Sequence, residues 1–394
     1  MAIELTGSGK SVGIGGSQEA GAKAVPGPAF TYFGEDEDAK ARGLFGILAE
    51  DGSFDPANTT RFDKGLSIQL YRGMLFTRLM DKQFMALQRQ GTLGFYAETL
   101  GQEAAAIGSA AALEKQDWLV PALREHGAGL FRGMDFTNFV AQLFGNDNDI
   151  THGRQMPLHP SDRATNYVNM SSCIASQLPH AVGIAMGMKI NGDKDSICIG
   201  YMGDGATSEG EFHASMNLAA VSKAPVIMLC QNNQWAISTP GTGQTAADTI
   251  ALKGIGYGME ALRADGNDVL AVYEVTKYAA DKARRGEGPT FIELLTYRVS
   301  AHTSSDDPSR YRDEGVTDVW REQRDPLIRM RKFLETNGWL SESDYEAMAA
   351  QIESTVREAV AKQRDVAMPD KKTLVEDVFE TPWWRLREQL ADLE

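Results

Sequence analysis

The 394-residue sequence holds only three cysteines, Cys173, Cys198 and Cys230, and none is spaced as a C-x-x-C pair. No disulfide framework is implied, and thiols packed in a reducing compartment are expected. Dense blocks of Lys or Arg are also missing. The chain carries 39 basic against 54 acidic residues, a formal charge of -15, which argues against nucleic acid and membrane surfaces as partners. No apolar run is long enough to span a bilayer, and no basic start with an apolar core marks a signal segment. A cytoplasmic protein is therefore expected, with an organelle matrix as the alternative. Three-glycine dinucleotide fingerprints fail as well: in Gly254-Ile255-Gly256-Tyr257-Gly258 the third glycine's place is taken by Met259, and no strand is predicted before it. Gly9-Lys10-Ser11 fails as a phosphate loop, because Glu4 stands where the leading glycine belongs.

What is present concentrates in Gly203-Asp204-Gly205-Ala206-Thr207-Ser208-Glu209-Gly210 and in the Asn232-Asn233 that follows the next apolar run. Residues 196–202 are apolar without helical period, which predicts a buried strand ending at Gly203. Glu209 and Glu211 then fall in the first turn of a predicted helix whose backbone amides face that strand end. Residues 225–230 predict a second buried strand, ending in Gln231-Asn232-Asn233. A strand, helix, strand unit makes its strands parallel, so Asp204 and Asn233 meet at the carboxyl edge of one sheet. Two hard oxygen donors, with the Trp235 carbonyl two residues on, form half a cage for magnesium. Such an ion completes its shell with phosphate oxygens and water, which predicts a metal bound together with a diphosphate. A lone Gly-Asp-Gly is a common turn; the flanking strands and the strand-terminal Asn-Asn give it this meaning.

Around that centre, residues 1–28 read as a flexible arm, residues 29–315 as an α/β domain with a parallel sheet, and residues 316–394 as a helical C-terminal extension. A long amphipathic helix is predicted over 63–90 and an alanine-dominated one over 101–115, with Phe95-Tyr96 in the turn between them. A short strand over 118–121 leads into Arg124-Glu125-His126, which suits a phosphate or carboxylate ligand; the alternative is a surface ion pair beside a solvated histidine. Residues 171–177 form a polar turn before a helix over 178–190, where the hydroxyls read locally as N-caps. Further on come a strand over 261–265, a helix over 268–285 and a strand over 290–298. The loop after it carries His302, which can face the same crevice as Asp204. In the extension, Ser341 and Asp344 are placed as a capping box. Phe379, Trp383 and Trp384 form an aromatic cluster, either packed into the chain's own core or serving a subunit interface.

The string from Gly203-Asp204-Gly205 to Asn232-Asn233 resembles the diphosphate-binding motif of thiamine-diphosphate enzymes. Extended to Thr239, it resembles the alpha subunits of 2-oxo acid dehydrogenase decarboxylating components. Within that family, His302-Thr303-Ser304-Ser305-Asp306-Asp307 with Tyr311-Arg312, Gly153-Arg154-Gln155-Met156-Pro157 and Val269-Leu270-Ala271-Val272-Tyr273 are similar to the branched-chain (2-oxoisovalerate) members. The resemblance implies a thiamine-diphosphate-binding fold with helices on both faces of the sheet. It also implies oxidative decarboxylation of branched-chain 2-oxo acids, with acyl transfer to the lipoyl group of a partner acyltransferase.

Carried over residue by residue, the resemblance implies magnesium on Asp204, Asn233 and the Trp235 carbonyl. Cofactor contacts are implied for Arg124, Ser172, Gly203, Gly205, Ala206, Gln231, Ile237 and His302, with Ile174 as the apolar wedge that bends the cofactor. Ser171, Ser176 and Gln177 match a potassium site, and Phe95 and Tyr96 match positions lining the substrate side-chain pocket. His302 is the expected proton-transfer group and His126 the second candidate. In this family the activating carboxylate comes from a beta subunit of an alpha2beta2 heterotetramer, so the chain alone is expected to be inactive. There are departures. Ala122 and Leu123 stand where Gln and Tyr are frequent, and Gln231 replaces a frequent Arg. Thr303 and Asp313 occupy the places of two regulatory serines of mitochondrial relatives, which favours a bacterial origin. His126 is closer to the pyruvate-type members and keeps pyruvate or acetoin as alternative substrates. A non-catalytic scaffold subunit is the alternative of a different class.

Overall fold

A computed structural model describes residues 37–377 and 379–393; the arm expected over 1–28 lies outside them. The helices that frame the site are α1 (Lys64–Arg89), α2 (Glu103–Ala111), α3 (Gln177–Ile190), α4 (Gly210–Ser222), α5 (Val269–Arg284), α6 (Pro326–Thr336) and α7 (Glu342–Arg364). Among the described residues, no helix is long and apolar enough to cross a membrane. The sheet consists of β1 (Trp118–Val120), β2 (Cys198–Gly203), β3 (Val226–Asn232), β4 (Glu260–Asp265) and β5 (Thr290–Leu295). Its spatial order is β1-β2-β3-β5-β4 and every pairing is parallel. Gly203 lies opposite Gln231, and Asn232 opposite Leu295, so the three central strands end level with one another.

Near-continuous apolar strands belong to a sheet covered on both faces. Ile199, Tyr201, Ile227 and Leu229 join a core with residues of α2 and α5, while Cys198, Met202, Val226 and Met228 join a second core with residues of α3 and α4. Winding runs in one direction from β1 to β3 and then returns, because β4 lies outside β5. Right-handed crossovers put α5 on the face opposite α3 and α4 once the direction reverses. The reversal opens a crevice at the carboxyl ends of the central strands.

Two predicted elements are shorter than expected, for reasons that shape the site. α2 begins at Glu103, because Gly101 before it takes φ +92° and a Cβ there would lie 2.6 Å from the Tyr297 carbonyl oxygen. β5 stops at Leu295 because the chain bends over the end of β3: the amides of Thr296 and Arg298 donate to the carbonyls of Asn232 (2.9 Å) and Asn233 (3.3 Å). In the C-terminal region the capping box at Ser341 and Asp344 forms. Leu327, Met330 and Phe333 of α6 and Ile352 and Val356 of α7 share one buried cluster with α1. Phe379, Trp383 and Trp384 are instead 54%, 47% and 57% exposed, so they do not pack into this core.

One carboxylate ties the amino-terminal segment to the sheet. Buried Asp268 accepts from the amides of Ile47 (2.6 Å), Leu48 (2.7 Å), Leu270 (3.1 Å) and Ala271 (3.2 Å), capping α5 and pinning the 47–48 strand-like segment at once. Asp268→Ala leaves these donors without an acceptor and is expected to cost about 3 kcal/mol, read as a lower urea midpoint. An unchanged midpoint would contradict this role.

Candidate active site

The central crevice holds a cavity of about 290 Å³. Residues 122–125 after β1, 202–206 at the end of β2, Gln231, Asn233 and residues 235–237 at and beyond the end of β3, and His302 beyond β5 line it. Gln102, just before α2, Ser171, Ile174 and Gln177, before and at the start of α3, and Ser208, Glu209 and Gln244 complete the wall. Asp204 and Asn233 therefore do share one sheet edge.

The helix after β2 starts where it was expected, and the turn before it has a structure of its own. Asp204–Ser208 wind as a 3-10 helix, with the Thr207 hydroxyl donating to the Asp204 carbonyl at 2.8 Å, Glu209 is extended, and α4 begins at Gly210. Asp204 opens this turn and lines the cavity with Gly203, Gly205 and Ala206. Asp204 is 1% exposed, its Oδ2 has no hydrogen-bond partner, and burial pushes its carboxyl up to about 6. Asn233 is oriented on both sides, its Nδ2 donating to Gln102 Oε1 (2.9 Å) and its Oδ1 accepting from the Trp235 amide (3.2 Å).

Beyond Asn233 a two-stranded ribbon, Trp235–Ala236 paired with Thr239–Pro240, folds back onto the turn. It packs so closely that a Cβ on Gly205 would lie 2.6 Å from that of Ala236, which accounts for the glycine. Ile237 at the bend has φ +55°, a conformation strained for a β-branched residue. Its carbonyl accepts from Arg298 Nη2 at 2.7 Å, and its side chain is 56% exposed at the cavity. Gln102 Nε2 and Gln231 Oε1 are further buried atoms without partners. Native interiors leave few such atoms, and here three belong to residues lining one cavity. Among the described residues no group of three His, Cys, Asp or Glu offers a closed metal cage. Asp204 with an amide and a carbonyl oxygen is an open one, suited to a hard cation that brings further oxygens with its ligand.

The opposite wall is cationic. Arg124 is buried, donating from Nη1 to the Glu98 carbonyl and from Nη2 to the His302 carbonyl (2.7 Å), so it forms no surface ion pair. Burial and the nearby Arg298 bring its guanidinium down to about 10. Burial, with the charges of Arg124 and Arg298, holds the His302 imidazole down to about 4. The loop beyond β5 is braced from within. Asp306 Oδ2 accepts from the His302 amide (2.7 Å) and from Tyr311 Oη (2.6 Å), and Arg298 Nη2 donates to that same hydroxyl (2.6 Å). Arg312 spans the carbonyls of Arg298, Val299 and Ser300 at 2.5, 2.7 and 3.2 Å.

Residues 71–372 match the protein family described as dehydrogenase E1 component. The chain belongs to the dehydrogenase E1 component family. It is 40% identical over 370 residues, 94% of this chain and 78% of the relative, to 2-oxoisovalerate dehydrogenase subunit alpha 2, mitochondrial, of Arabidopsis thaliana. The 2-oxoisovalerate dehydrogenase subunit alpha, mitochondrial, of Dictyostelium discoideum is 40% identical over 349 residues, covering 88% of this chain and 79% of the relative. That of Homo sapiens is 38% identical over 352 residues, covering 89% and 79%. All three carry "mitochondrial" in their names, so the expectation of a bacterial cytoplasm finds no support among them.

In this E1 component the expected site residues divide into two groups. Arg124, Ser171, Ile174, Gln177, Gly203, Asp204, Gly205, Ala206, Gln231, Asn233, Trp235, Ile237 and His302 line the cavity; Ser172, Ser176, His126, Phe95 and Tyr96 do not. The Ser172 hydroxyl is paired with His159 Nε2, and that of Ser176 donates to the Cys173 carbonyl (2.7 Å) and Ser171 Oγ (3.2 Å). Ser176 stands at the N-cap of α3, but its side chain makes no capping hydrogen bond. Gln177 Nε2 is engaged by the Tyr201 carbonyl at 2.9 Å. His126, the second proton-transfer candidate, is not among the lining residues: its ring is 1% exposed, stacked on Phe139 and bonded to Asp81 at 2.9 Å. Tyr96 is fully buried with its hydroxyl on Asp81 (2.7 Å), and Phe95 faces His159 with ring centroids 6.5 Å apart.

Several wall and bracing residues escaped sequence reasoning, among them three with clear roles. Gln102 looked like the start of an alanine helix, and Arg298 like the tail of a strand. Glu125, whose Oε2 accepts from the amides of Ala122 (2.8 Å) and Leu123 (2.9 Å) and whose Oε1 accepts from Gln231 Nε2, looked like half of an ion pair. A carboxylate directly flanked by Arg124 and His126 at a strand end was the available signal.

Proposed function

We propose that this chain is the alpha subunit of a 2-oxo acid dehydrogenase that decarboxylates branched-chain 2-oxo acids of the 3-methyl-2-oxobutanoate type and passes the acyl group to a lipoyl group on an acyltransferase. The relatives' names support the substrate class. The single observation that supports the site is the buried, unpartnered Asp204 Oδ2 beside the oriented Asn233. Asp204, Asn233 and the Trp235 carbonyl would hold magnesium. Arg124, Gln231 and the backbone of residues 203–206 would receive the diphosphate, and Ile174 and Ile237 would flank the cofactor. Thiamine diphosphate, on which the family in general depends, would supply the carbanion that attacks the 2-oxo carbon and the sink for the electrons left by carbon dioxide. Ser171 and the free carboxamide oxygen of Gln177 are the remaining donors for a potassium ion. A beta subunit would complete an alpha2beta2 assembly, supplying the activating carboxylate, and the exposed Phe379, Trp383 and Trp384 are the surface proposed for subunit contact. The compartment proposed is the organelle matrix, after those relatives.

His302 is the proton-handling group of this reading. With its imidazole held down to about 4, it is neutral and able to accept a proton at neutral pH. Its depressed value means the folded chain binds fewer protons than the unfolded one between about pH 4 and 6.5, so folding stability rises with pH across that window. The ring is expected to titrate near pH 4 by NMR; a midpoint near 6.5 would place it in bulk solvent. For substrate choice, the chain reconstituted with its beta partner is expected to show kcat/KM for 3-methyl-2-oxobutanoate at least about tenfold above that for pyruvate. A preference for pyruvate would overturn the branched-chain reading.

A further inference from the structure

Asp81 lies on α1, outside the cavity, and is 2% exposed. Its Oδ1 accepts from Tyr96 Oη (2.7 Å) and lies 2.9 Å from His126 Nε2, while its Oδ2 accepts from the Thr99 amide (2.6 Å). His126 Nε2 is also 3.3 Å from Thr99 Oγ1. A buried carboxylate with three partners is costly to arrange unless every acceptor is used, and nothing in the cavity wall needs it directly. Its partners, however, fix the short segment 96–101, and that segment is the ledge on which the His302 loop rests. Ser304 donates its amide to the Tyr96 carbonyl (3.0 Å), Val299 donates to the Leu100 carbonyl (3.3 Å), and Thr296 Oγ1 donates to the Gly101 carbonyl (2.9 Å). Arg124 clamps ledge and loop together, from the Glu98 carbonyl to that of His302. At Gly101 the two segments are in contact with no room for a Cβ.

We infer that Asp81, through Tyr96, Thr99 and His126, is a positioning residue for His302. α1 is a 26-residue helix set in the main core, so the carboxylate transfers the position of a rigid element to an otherwise irregular loop. A catalytic group misplaced by a fraction of an ångström loses rate while substrate affinity is largely kept. This inference rests on the proton-handling role of His302 proposed above.

The test uses the alpha chain reconstituted with its beta partner and loaded with thiamine diphosphate and magnesium. Tyr96→Phe removes one oxygen and little volume from the network. It is expected to lower kcat by about tenfold, with KM for 3-methyl-2-oxobutanoate within about twofold. Amide exchange at Val299 and Ser304 should accelerate, while Ile292 and Leu294 in β5 keep their protection. Asp81→Ala should give the same pattern more strongly; if that variant fails to fold, Tyr96→Phe decides alone. Unchanged exchange at Val299 and Ser304 in Tyr96→Phe would overturn the inference. Faster exchange with unaltered kcat would instead overturn the role given to His302, so the two fail separately.

Discussion

Asp204→Ala is expected to abolish magnesium-dependent binding of thiamine diphosphate to the reconstituted alpha and beta pair, weakening it by about a hundredfold or more. The physical reason is the state of this carboxylate in the folded chain. It is withdrawn from water, and one of its oxygens has no hydrogen-bond partner. Burial accordingly lifts its carboxyl up to about 6, and a bound divalent ion is the partner that would favour its charged form. Neighbouring Asn233 cannot substitute for it, since a neutral amide oxygen supplies no charge. Calorimetric titration with cofactor and magnesium reads the effect. Retained affinity in Asp204→Ala would remove the metal assignment, and a matching loss in Asn233→Ala would strengthen it.

His302→Ala is expected to leave cofactor binding within about threefold of the parent while lowering kcat by about 100- to 1,000-fold. Besides burial, the charges of Arg124 and Arg298 both disfavour protonation of its side chain. Any proton it takes up therefore leaves again readily, which suits transfer and does not suit anchoring. The loop itself should survive the substitution, because its bracing uses the His302 backbone and the side chains of Asp306, Tyr311 and Arg312 rather than the imidazole. Turnover with a lipoyl acceptor gives the measurement. Retained kcat would transfer the proton step to another group.

Much of this arrangement was legible in the sequence because the signals were local. A strand-terminal Gly-Asp-Gly and a strand-terminal Asn-Asn, joined by one helix, must meet at one edge when crossovers are right-handed, and Asp204 and Asn233 do. The apolar period of α1 and the Ser341 capping box were likewise local, and both formed. Contacts made across the fold were not legible. Nothing near Gln102 in sequence shows that it will orient Asn233, 131 residues away. Arg298 reads as the end of a strand until the chain bends over β3. His126 misled for the same reason: a histidine next to Arg124 suggests the cavity, but the first turn of its helix rotates the ring inward to Asp81 on α1. The helix predicted with Glu209 and Glu211 in its first turn begins at Gly210, and the short 3-10 turn before it, held by Thr207, is the feature the sequence did not show.

The division of the site between chains is tested most directly by carbon dioxide release from 3-methyl-2-oxobutanoate. The alpha chain would be assayed alone, with its beta partner, and with the partner but without thiamine diphosphate. Release is predicted only from the cofactor-loaded pair. Turnover by the alpha chain alone, or by the pair without thiamine diphosphate, would contradict a shared thiamine-diphosphate site built on Asp204.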